Sequence, residues 1–252
     1  MSTTESFAAH VIVPVTGLWH SPTSPRALDA FAVNDDAEHG RWLSAMDATA
    51  TLEEGRLGLY DRYESEVLQD EPVVVHDTTE DGWSRVTCPW QPSHKDSRGY
   101  PGFVRSAHLS PVEGSGSLES ALPVPQTPAT VDAFLAEARG HLGLPYLWGG
   151  ISAAGLDCSG LVHYSARCLG MMLPRDGDDQ YATCDDVPLD EVLPGDLYFF
   201  AHPGQNLHHV GIVASRGHII HAPSTGQVVT EERLPDARWK TLVAAGRIRE
   251  LR

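Results

Sequence analysis

The feature that most constrains the fold is a stretch rich in Gly, Ser and Pro near the middle of the chain. Residues 112–130 read VEGSGSLESALPVPQTPAT, with neither the period of a helix nor the alternation of a strand. Such a composition is typical of a linker. Because 252 residues suffice for two small hydrophobic cores, we predict domains at 1–112 and 130–252, joined by a linker at 113–129.

Before the linker, the pattern favours short β-strands. Clusters of β-branched and aromatic residues occur at 10–15, 71–75, 83–88 and 103–105. Turn dipeptides such as Asp81-Gly82 and Pro101-Gly102 separate these clusters. Residues 34–55 are mostly polar, with a short helix predicted at 40–46. We interpret this half as a small all-β barrel that carries one insertion.

After the linker, the period changes to that of helices. Apolar residues recur at helical spacing over 131–142 and again over 158–169, and Gly143 or Gly170 follows each run. Five strands are then predicted, at 196–200, 209–215, 218–223, 227–231 and 242–248. Helices followed by an antiparallel sheet indicate an α+β domain.

Charge and composition exclude several classes of partner. The net charge of −16 argues against a nucleic acid and against anionic membrane surfaces, because both attract Lys and Arg. No apolar run approaches the roughly 20 residues that span a bilayer, and residues 1–10 lack the pattern of a secretory leader. The four cysteines have neither metal-ligand nor disulfide-framework spacing. We therefore expect a cytoplasmic protein with reduced thiols and with no metal or cofactor.

Cys158 is the best candidate for a nucleophile. It follows Asp157 at the start of the second predicted helix, where the positive end of the helix dipole stabilises a thiolate. The backbone N–H groups of that first turn can also bind an oxyanion. Cys168, in contrast, has the pattern of an ordinary small hydrophobic residue inside the helix.

A thiol nucleophile needs a base, and His209 and His221 are the candidates. They lie on two successive strands joined by a hairpin. A two-residue loop pairs His221 with Ile212 and puts the two imidazoles on opposite faces. A three-residue loop pairs His221 with Gly211 and aligns them. The two histidines therefore act together only if the loop is odd-numbered or bulged, and Gly211 then leaves room for them.

The second half of the chain contains six short motifs that follow one another in a set order. They are YLWGG at 146–150, LDCSGL at 156–161, LPR at 173–175, PGDL at 194–197, HVGI at 209–212 and IHA at 220–222. In this order they resemble the NlpC/P60 cysteine peptidases. The resemblance implies a papain-like α+β catalytic domain with Cys158 as nucleophile, His209 as base and His221 as the residue that orients the base. It further implies that Tyr146 helps to form the oxyanion site.

Motifs of the first half extend the resemblance. They include LW at 18–19, YES at 63–65, DGW at 81–83, KD at 95–96 and RGYPG at 98–102. They are similar to the bacterial SH3-like domain of γ-D-glutamyl-L-diamino acid endopeptidases. That resemblance implies one SH3-like barrel before the catalytic domain. It also implies cleavage of murein peptides of the type L-Ala-γ-D-Glu-diamino acid, with a free N-terminal amine, in cell-wall peptide recycling.

The same resemblance implies a set of substrate-binding residues. Glu64 and Tyr100 are expected to bind the ammonium group together with Asp157, since a cation needs anionic or phenolic partners. Ser159 and Asp176 complete the implied set. Arg175 is interpreted as a structural residue, either in an ion pair or bound to a backbone carbonyl, while anionic carboxylates of the ligand keep it a candidate for substrate binding. Where relatives often carry a small hydroxyl residue after Pro-Arg-Asp, this chain has a glycine at position 177.

Two other functions compete with this prediction. A non-catalytic wall-binding module would depend on the SH3-like domain alone, but the intact set of Cys158, His209 and His221 argues against it. An acyltransferase of the same superfamily would need a lipid-binding groove. The polar candidates Glu64 and Tyr100 favour a charged peptide instead. The sequence predicts no oligomeric state.

Overall fold

The computed structural model describes residues 6–112 and 128–251. The chain divides into two compact units, and the described residues of the first are 6–112 and 147–154. The second unit holds 128–146 and 155–251. Most of the predicted linker, 113–127, lies outside the described residues, so its bounds stay a prediction. The segment 147–154, which the sequence pattern assigned to the second domain, packs with the first unit.

The first unit is built on an antiparallel sheet. Its strands within the described residues are β1 (Phe7–Val11), β2 (Val15–Trp19), β3 (Tyr63–Leu68), β4 (Pro72–Thr78), β5 (Trp83–Cys88), β6 (Tyr100–Arg105) and β7 (Leu109–Pro111). Their order in the sheet is β3-β2-β6-β5-β4-β1-β7. Two helices, α1 (Ala30–Val33) and α2 (His39–Asp47), stand between β2 and β3, and the two-residue strand β8 (Ile151–Ser152) belongs to this unit too. Three 3₁₀ turns complete it, at Ala27–Asp29, Arg56–Leu59 and Ser106–His108.

The structure corrects the strand predictions for this half. The predicted strand at 10–15 is wrong, because the chain turns at 12–14 and divides into β1 and β2. Pro14 has no N–H group to donate to a sheet, which explains the break. The helix predicted at 40–46 is confirmed as α2. Strands β3 and β7 were not predicted.

The insertion between β2 and β3 has its own core. Trp42 of α2 packs against Trp19 and Tyr63 of the sheet, with ring centroids 6.1 and 5.2 Å away. The indole N–H of Trp42 donates to the fully buried carboxylate of Asp29 over 2.7 Å. Arg26 completes that contact by donating to both Asp29 oxygens, at 2.8 and 2.9 Å. The insertion is therefore packed on the sheet as a layer.

The second unit places helices beside a second antiparallel sheet. Its helices are α3 (Val131–Gly140), α4 (Cys158–Cys168), α5 (Gly177–Thr183) and α6 (Asp236–Trp239). Its strands within the described residues are β9 (Gly155–Leu156), β10 (Asp185–Val187), β11 (Leu197–Ala201), β12 (Leu207–Ser215), β13 (His218–His221), β14 (Thr230–Arg233) and β15 (Leu242–Arg247). The sheet order is β10-β15-β11-β12-β13-β14, and both α4 and α5 pack on β12.

The two predicted helices and the five predicted strands of this half are confirmed, with shifted ends. Helix α3 stops at residue 140, so Leu142 lies beyond it and is exposed. Helix α4 ends as predicted near Gly170, whose φ of +73° suits a residue without a side chain. Cys168 was predicted as an ordinary small hydrophobic residue inside the helix, whereas it is the last residue of α4 and is exposed. Among the described residues, no helix is both long and apolar enough to cross a bilayer.

Candidate active site

Cys158 occupies the first position of α4, as predicted. Asp157 caps the helix, because its Oδ1 accepts the Gly160 N–H over 2.6 Å. The Cys158 sulfur accepts hydrogen bonds from the backbone N–H groups of Ser159 and of Val210 in β12. Since Val210 directly follows His209, the N-terminus of α4 meets β12 beside the predicted base.

The β12–β13 hairpin resolves the two alternatives left open by the sequence. Its Cα partners are Ser215 with His218, Val213 with Ile219 and Ile212 with Ile220. The turn has only two residues, Arg216 and Gly217, but the register shifts between Val213 and Ser215. This bulge places His221 opposite Gly211. A two-residue turn with a bulge therefore aligns the histidines on one face of the sheet.

The two histidines form a line with a third side chain. Nε2 of His209 lies 2.9 Å from Nδ1 of His221, and Nε2 of His221 lies 3.0 Å from Oε1 of Glu232 in β14. His209 is 5% exposed and His221 1%, so the contact between them is shielded from water. Gly211 leaves room for His221, because a Cβ at position 211 would lie only 3.0 Å from the Cβ of His221, closer than an ordinary contact.

Glu232 was not predicted, because the predicted strand ended at residue 231. Thr230 pairs with His221, and Glu232 pairs with Ile219. Because side chains alternate along a strand, the face that carries His221 also carries Glu232, as a diagonal neighbour. A prediction of the β13–β14 register would have found this contact.

Burial shifts the pKa values of both Cys158 and His209. It lowers the pKa of His209 well below 6.5, and the positive charges of Arg238, His221 and His208 lower it further. Burial also raises the pKa of Cys158 to about 11, with a smaller contribution from Asp157. The backbone N–H groups at the sulfur and the Arg175 charge lower that pKa, but by less. Burial therefore disfavours the charged form of both the Cys158 thiol and the His209 imidazole, and the N–H groups at the helix start do not offset that effect on the thiol.

Arg238 of α6 is a second residue that the sequence analysis missed. It donates to the carbonyl of Pro223 over 2.9 Å, and its guanidinium lies 5.8 Å from the centroid of the Phe200 ring. Both Cys158 and the buried Tyr146 are within electrostatic range of this cation. The structure thus brings Tyr146 and Cys158 into one region, whereas the predicted role of Tyr146 at the oxyanion stays a prediction. No motif surrounds Arg238 in the sequence, so only the fold identifies it.

The residues beside Cys158 form a buried ion pair. Arg175, which is 1% exposed, donates to Oδ1 and Oδ2 of Asp157 over 3.1 and 2.7 Å. It also donates to the Ser159 hydroxyl over 3.0 Å. Of the two structural alternatives for Arg175, the structure shows the ion pair. The predicted substrate residues Asp157 and Ser159 thus also hold the start of α4 in place.

The departure at position 177 lies next to the same helix terminus. Asp176 is the residue before α5, and Gly177 is the first residue of that helix. A Cβ at Gly177 would lie 3.6 Å from Val210 Cγ1 and 4.0 Å from the Cβ of Ser159, which are ordinary van der Waals distances. The structure therefore has space for a small side chain at position 177.

Within the first unit, the predicted amine-binding residues touch each other. The Tyr100 hydroxyl donates to Oε2 of Glu64 over 3.1 Å, and the Lys95 ammonium donates to the same oxygen over 3.0 Å. Lys95 also donates to the Tyr100 hydroxyl and lies 4.2 Å from the centroid of its ring. His20 was missed as well, and its Nδ1 lies 2.8 Å from Oε1 of Glu64. We call these four side chains the Glu64 cluster.

The Glu64 cluster already holds an ammonium group, that of Lys95. Burial raises the pKa of Glu64, but the hydrogen bond with His20 and the contacts with Lys95 and Tyr100 outweigh it, so the pKa is lowered overall. Glu64 is consequently ionised near neutral pH. An anion and a phenol at this spacing are suited to a primary amine.

Comparison with known proteins identifies the family. The family model described as NlpC/P60 family matches residues 143–247. The γ-D-glutamyl-L-lysine dipeptidyl-peptidase of Bacillus subtilis (strain 168) is 33% identical over 276 aligned positions, which cover 87% of this chain and 91% of that protein. This chain belongs to the NlpC/P60 family. The protein of the same name from Bacillus cereus (strain ATCC 10987) is 27% identical to it over 282 positions, covering 85% of this chain and 83% of that protein.

A solved structure shows the same fold. The crystal structure of an NlpC/P60 family protein from Bacillus cereus ATCC 10987 superposes with a TM-score of 0.82 and 24% identity, over 96% of this chain and 99% of that chain. As an NlpC/P60 protein, this chain is a cysteine peptidase. The matched region contains Cys158, His209 and His221, and it also contains the unpredicted Glu232 and Arg238.

Proposed function

We propose that this protein hydrolyses the bond between γ-D-Glu and the diamino acid of murein peptides that carry a free N-terminal L-Ala. The observation that carries the proposal is the buried, hydrogen-bonded pair of His209 and His221. The Cys158 sulfur accepts a hydrogen bond from the backbone of Val210, the residue that follows His209. The substrate class follows from the 33% identical relative, whose name specifies a γ-D-glutamyl-L-lysine bond.

Because burial raises the pKa of Cys158 and lowers that of His209, we assign the proton transfers in the following order. His209 takes the proton of the Cys158 thiol as the sulfur attacks the γ-carbonyl carbon of D-Glu. The resulting oxyanion accepts hydrogen bonds from the N–H groups at the start of α4, and we assign a further donor to the Tyr146 hydroxyl. His209 then returns the proton to the leaving α-amine of the diamino acid. A thioester remains on Cys158, and water hydrolyses it with His209 again acting as base.

His221 orients the base in this scheme. Its Nδ1 lies 2.9 Å from Nε2 of His209, which holds the imidazole ring of His209 through the reaction. In triads of this kind the third residue aligns the imidazole and stabilises the imidazolium that forms. It does not carry the proton away.

We further propose that Glu64 and Tyr100 bind the N-terminal ammonium of the substrate. The bonds that they make to Lys95 support this, because they show an ammonium group held by the same two side chains. A charged hydrogen bond of this kind contributes about 1.5–3 kcal/mol, which is at least tenfold in affinity. The contributions of Asp157, Ser159 and Asp176 to substrate binding belong to the same proposal.

The remaining parts of the proposal concern the first unit and the setting. We assign the seven-stranded antiparallel sheet of residues 6–112 to an SH3-like domain, on the motifs that β3 and β6 carry. A requirement for a free amine restricts the substrates to peptides released from the sugar, so the role is in peptide recycling. The four cysteines are free thiols, which fits a reducing compartment such as the cytoplasm.

Mass spectrometry of L-Ala-γ-D-Glu-L-Lys after incubation with the protein tests the proposal. We expect the dipeptide L-Ala-γ-D-Glu and free lysine as products. The Cys158→Ala variant should keep its fold and lose more than about a thousandfold of kcat, since removal of a nucleophile costs at least that much. An intact tripeptide, or a cut between L-Ala and D-Glu, would contradict the assignment.

Acetylation of the tripeptide amine tests the ammonium site separately. It should lower kcat/KM at least tenfold, and Glu64→Ala should reduce that difference because the anion is gone. Glu53→Ala removes an exposed acid of the same unit and serves as the control. Equal rates on the free and acetylated peptides would refute this part alone.

A further inference from the structure

The line of hydrogen-bonding groups in the site does not end at His221. Glu232 places Oε1 3.0 Å from His221 Nε2, on the side away from His209. We propose that Glu232 is a positioning residue, which determines the nitrogen of His209 that takes the proton from Cys158. The inference rests on the proposed function, because it assumes that His209 is the base.

The argument follows the protons along the line. An ionised carboxylate only accepts hydrogen bonds, so Glu232 requires a proton on His221 Nε2. In the neutral imidazole of His221, Nδ1 is then an acceptor. The contact of 2.9 Å consequently requires a proton on Nε2 of His209. Nδ1 of His209 is left without a proton, and it is the base.

The position of Glu232 suits this role. Its side chain is 40% exposed, so solvent offsets the cost of keeping its charge, whereas the side chain of His221 is only 1% exposed. The pairing of β13 with β14 fixes the distance between Glu232 and His221, because Glu232 lies opposite Ile219, two residues before His221. The carboxylate therefore transmits a defined orientation to two imidazoles that are themselves buried.

Other charged groups also face the two imidazoles. His221 is faced by His209 of β12, Glu232 of β14 and Arg238 of α6. His209 is affected in addition by His208 of its own strand. Glu232 is the one anion among these groups. Its removal should therefore make protonation of the histidine pair harder, and the acid limb of kcat/KM should move to lower pH.

Three variants separate positioning from mere structural support. Glu232→Ala removes both the acceptor and the charge, and Glu232→Gln removes the charge while keeping an amide oxygen that can accept. Glu231→Gln is the matched control, since Glu231 is the adjacent residue of β14 and pairs with Arg139 instead. Each is assayed on L-Ala-γ-D-Glu-L-Lys for kcat, KM and the pH dependence of kcat/KM.

We expect Glu232→Ala to lower kcat roughly tenfold or more with KM unchanged, as is typical when an orienting partner is lost. Glu232→Gln should keep more of kcat than the alanine variant. Both should show the shift of the acid limb, and Glu231→Gln should show neither effect. A purely structural role of Glu232 would leave the acid limb in place.

Nitrogen-15 NMR of the imidazoles gives a result that does not depend on activity. In the wild type, the proton of each neutral ring should be on Nε2 of His209 and of His221. In Glu232→Ala, His209 should show a mixture of both tautomers. An unchanged tautomer together with unchanged kcat and acid limb would overturn the inference for Glu232. If the wild type did not cleave the tripeptide, or if Cys158→Ala did cleave it, the proposed function would be overturned instead.

Discussion

Replacement of Gly211 by alanine should destabilise the β12–β13 hairpin and disturb catalysis together. An added Cβ would lie 2.4 Å from Ile219 Cδ1 and 2.7 Å from its Cγ1, well inside van der Waals contact. Ile219 is fully buried, so its side chain has no open space to enter. The same Cβ would lie 3.0 Å from the Cβ of His221, which must move by a few tenths of an ångström.

The magnitude follows from what overpacking costs in a well-filled core, about 1–3 kcal/mol. The backbone of Gly211 has no positive φ, so the whole cost is steric. Ile219→Val alone should cost about 0.5–1.5 kcal/mol. In the double variant, however, the contact with Cδ1 is gone. We therefore expect the destabilisation of the double variant to be smaller, by roughly 1 kcal/mol, than the sum of the destabilisations caused by the two single substitutions. Its kcat should stay low, because the contact with His221 remains.

Amide hydrogen exchange of β12 and β13 is the appropriate measurement, because global unfolding of a chain with two units mixes their stabilities. Gly140→Ala is the control, since nothing lies within 4 Å of a Cβ at that helix position and alanine favours a helix. A Gly211→Ala variant with wild-type protection in the hairpin and unchanged kcat would refute the account of how the histidines are aligned.

Three further predictions concern charges. Burial lowers the pKa of His163 to about 3, so between pH 6.5 and 3 the unfolded chain binds a proton that the native state excludes. The free energy of unfolding should therefore fall as the pH falls, by roughly 1.4 kcal/mol per pH unit at most. In hydrogen-exchange measurements, His163→Gln should reduce that slope. Lys95→Met removes the internal ammonium group from Glu64, so it should lower the KM for the free-amine tripeptide several-fold and leave the KM for the acetylated peptide unchanged. An unchanged KM for the free-amine tripeptide would contradict the ammonium site. Because the pKa of His209 is lowered, the acid limb of kcat/KM should lie below pH 6.5, and a limb above that value would show that burial does not control the base.

The sequence predicted those features of the site that depend on short segments. The position of Cys158 at a helix start follows from a capping aspartate and a helical apolar period, both of which are local. The alignment of His209 and His221 depends on a bulge near Ala214, and no residue type at that position requires one. The pattern could therefore state the condition for alignment but not decide it.

Other features escaped prediction because buried polar groups interrupt the patterns. Strand β3 reads YESEVL, in which Glu66 is fully buried and accepts the Ile151 N–H over 2.8 Å. A charged residue in a strand interior has no signature without its partner. Glu232 and Arg238 reach the site from β14 and α6, whose places are fixed only by long-range pairing and packing.

The central claim is that the Cys158 sulfur forms a thioester with the γ-carboxyl group of D-Glu, and hydroxylamine tests it most directly. In its presence, cleavage of L-Ala-γ-D-Glu-L-Lys should yield the γ-hydroxamate of L-Ala-γ-D-Glu in addition to the free acid, because hydroxylamine competes with water for a thioester. Cys158→Ala should yield neither product. Cleavage that gives only the free acid at high hydroxylamine concentration, or hydroxamate formation by Cys158→Ala, would contradict the claim.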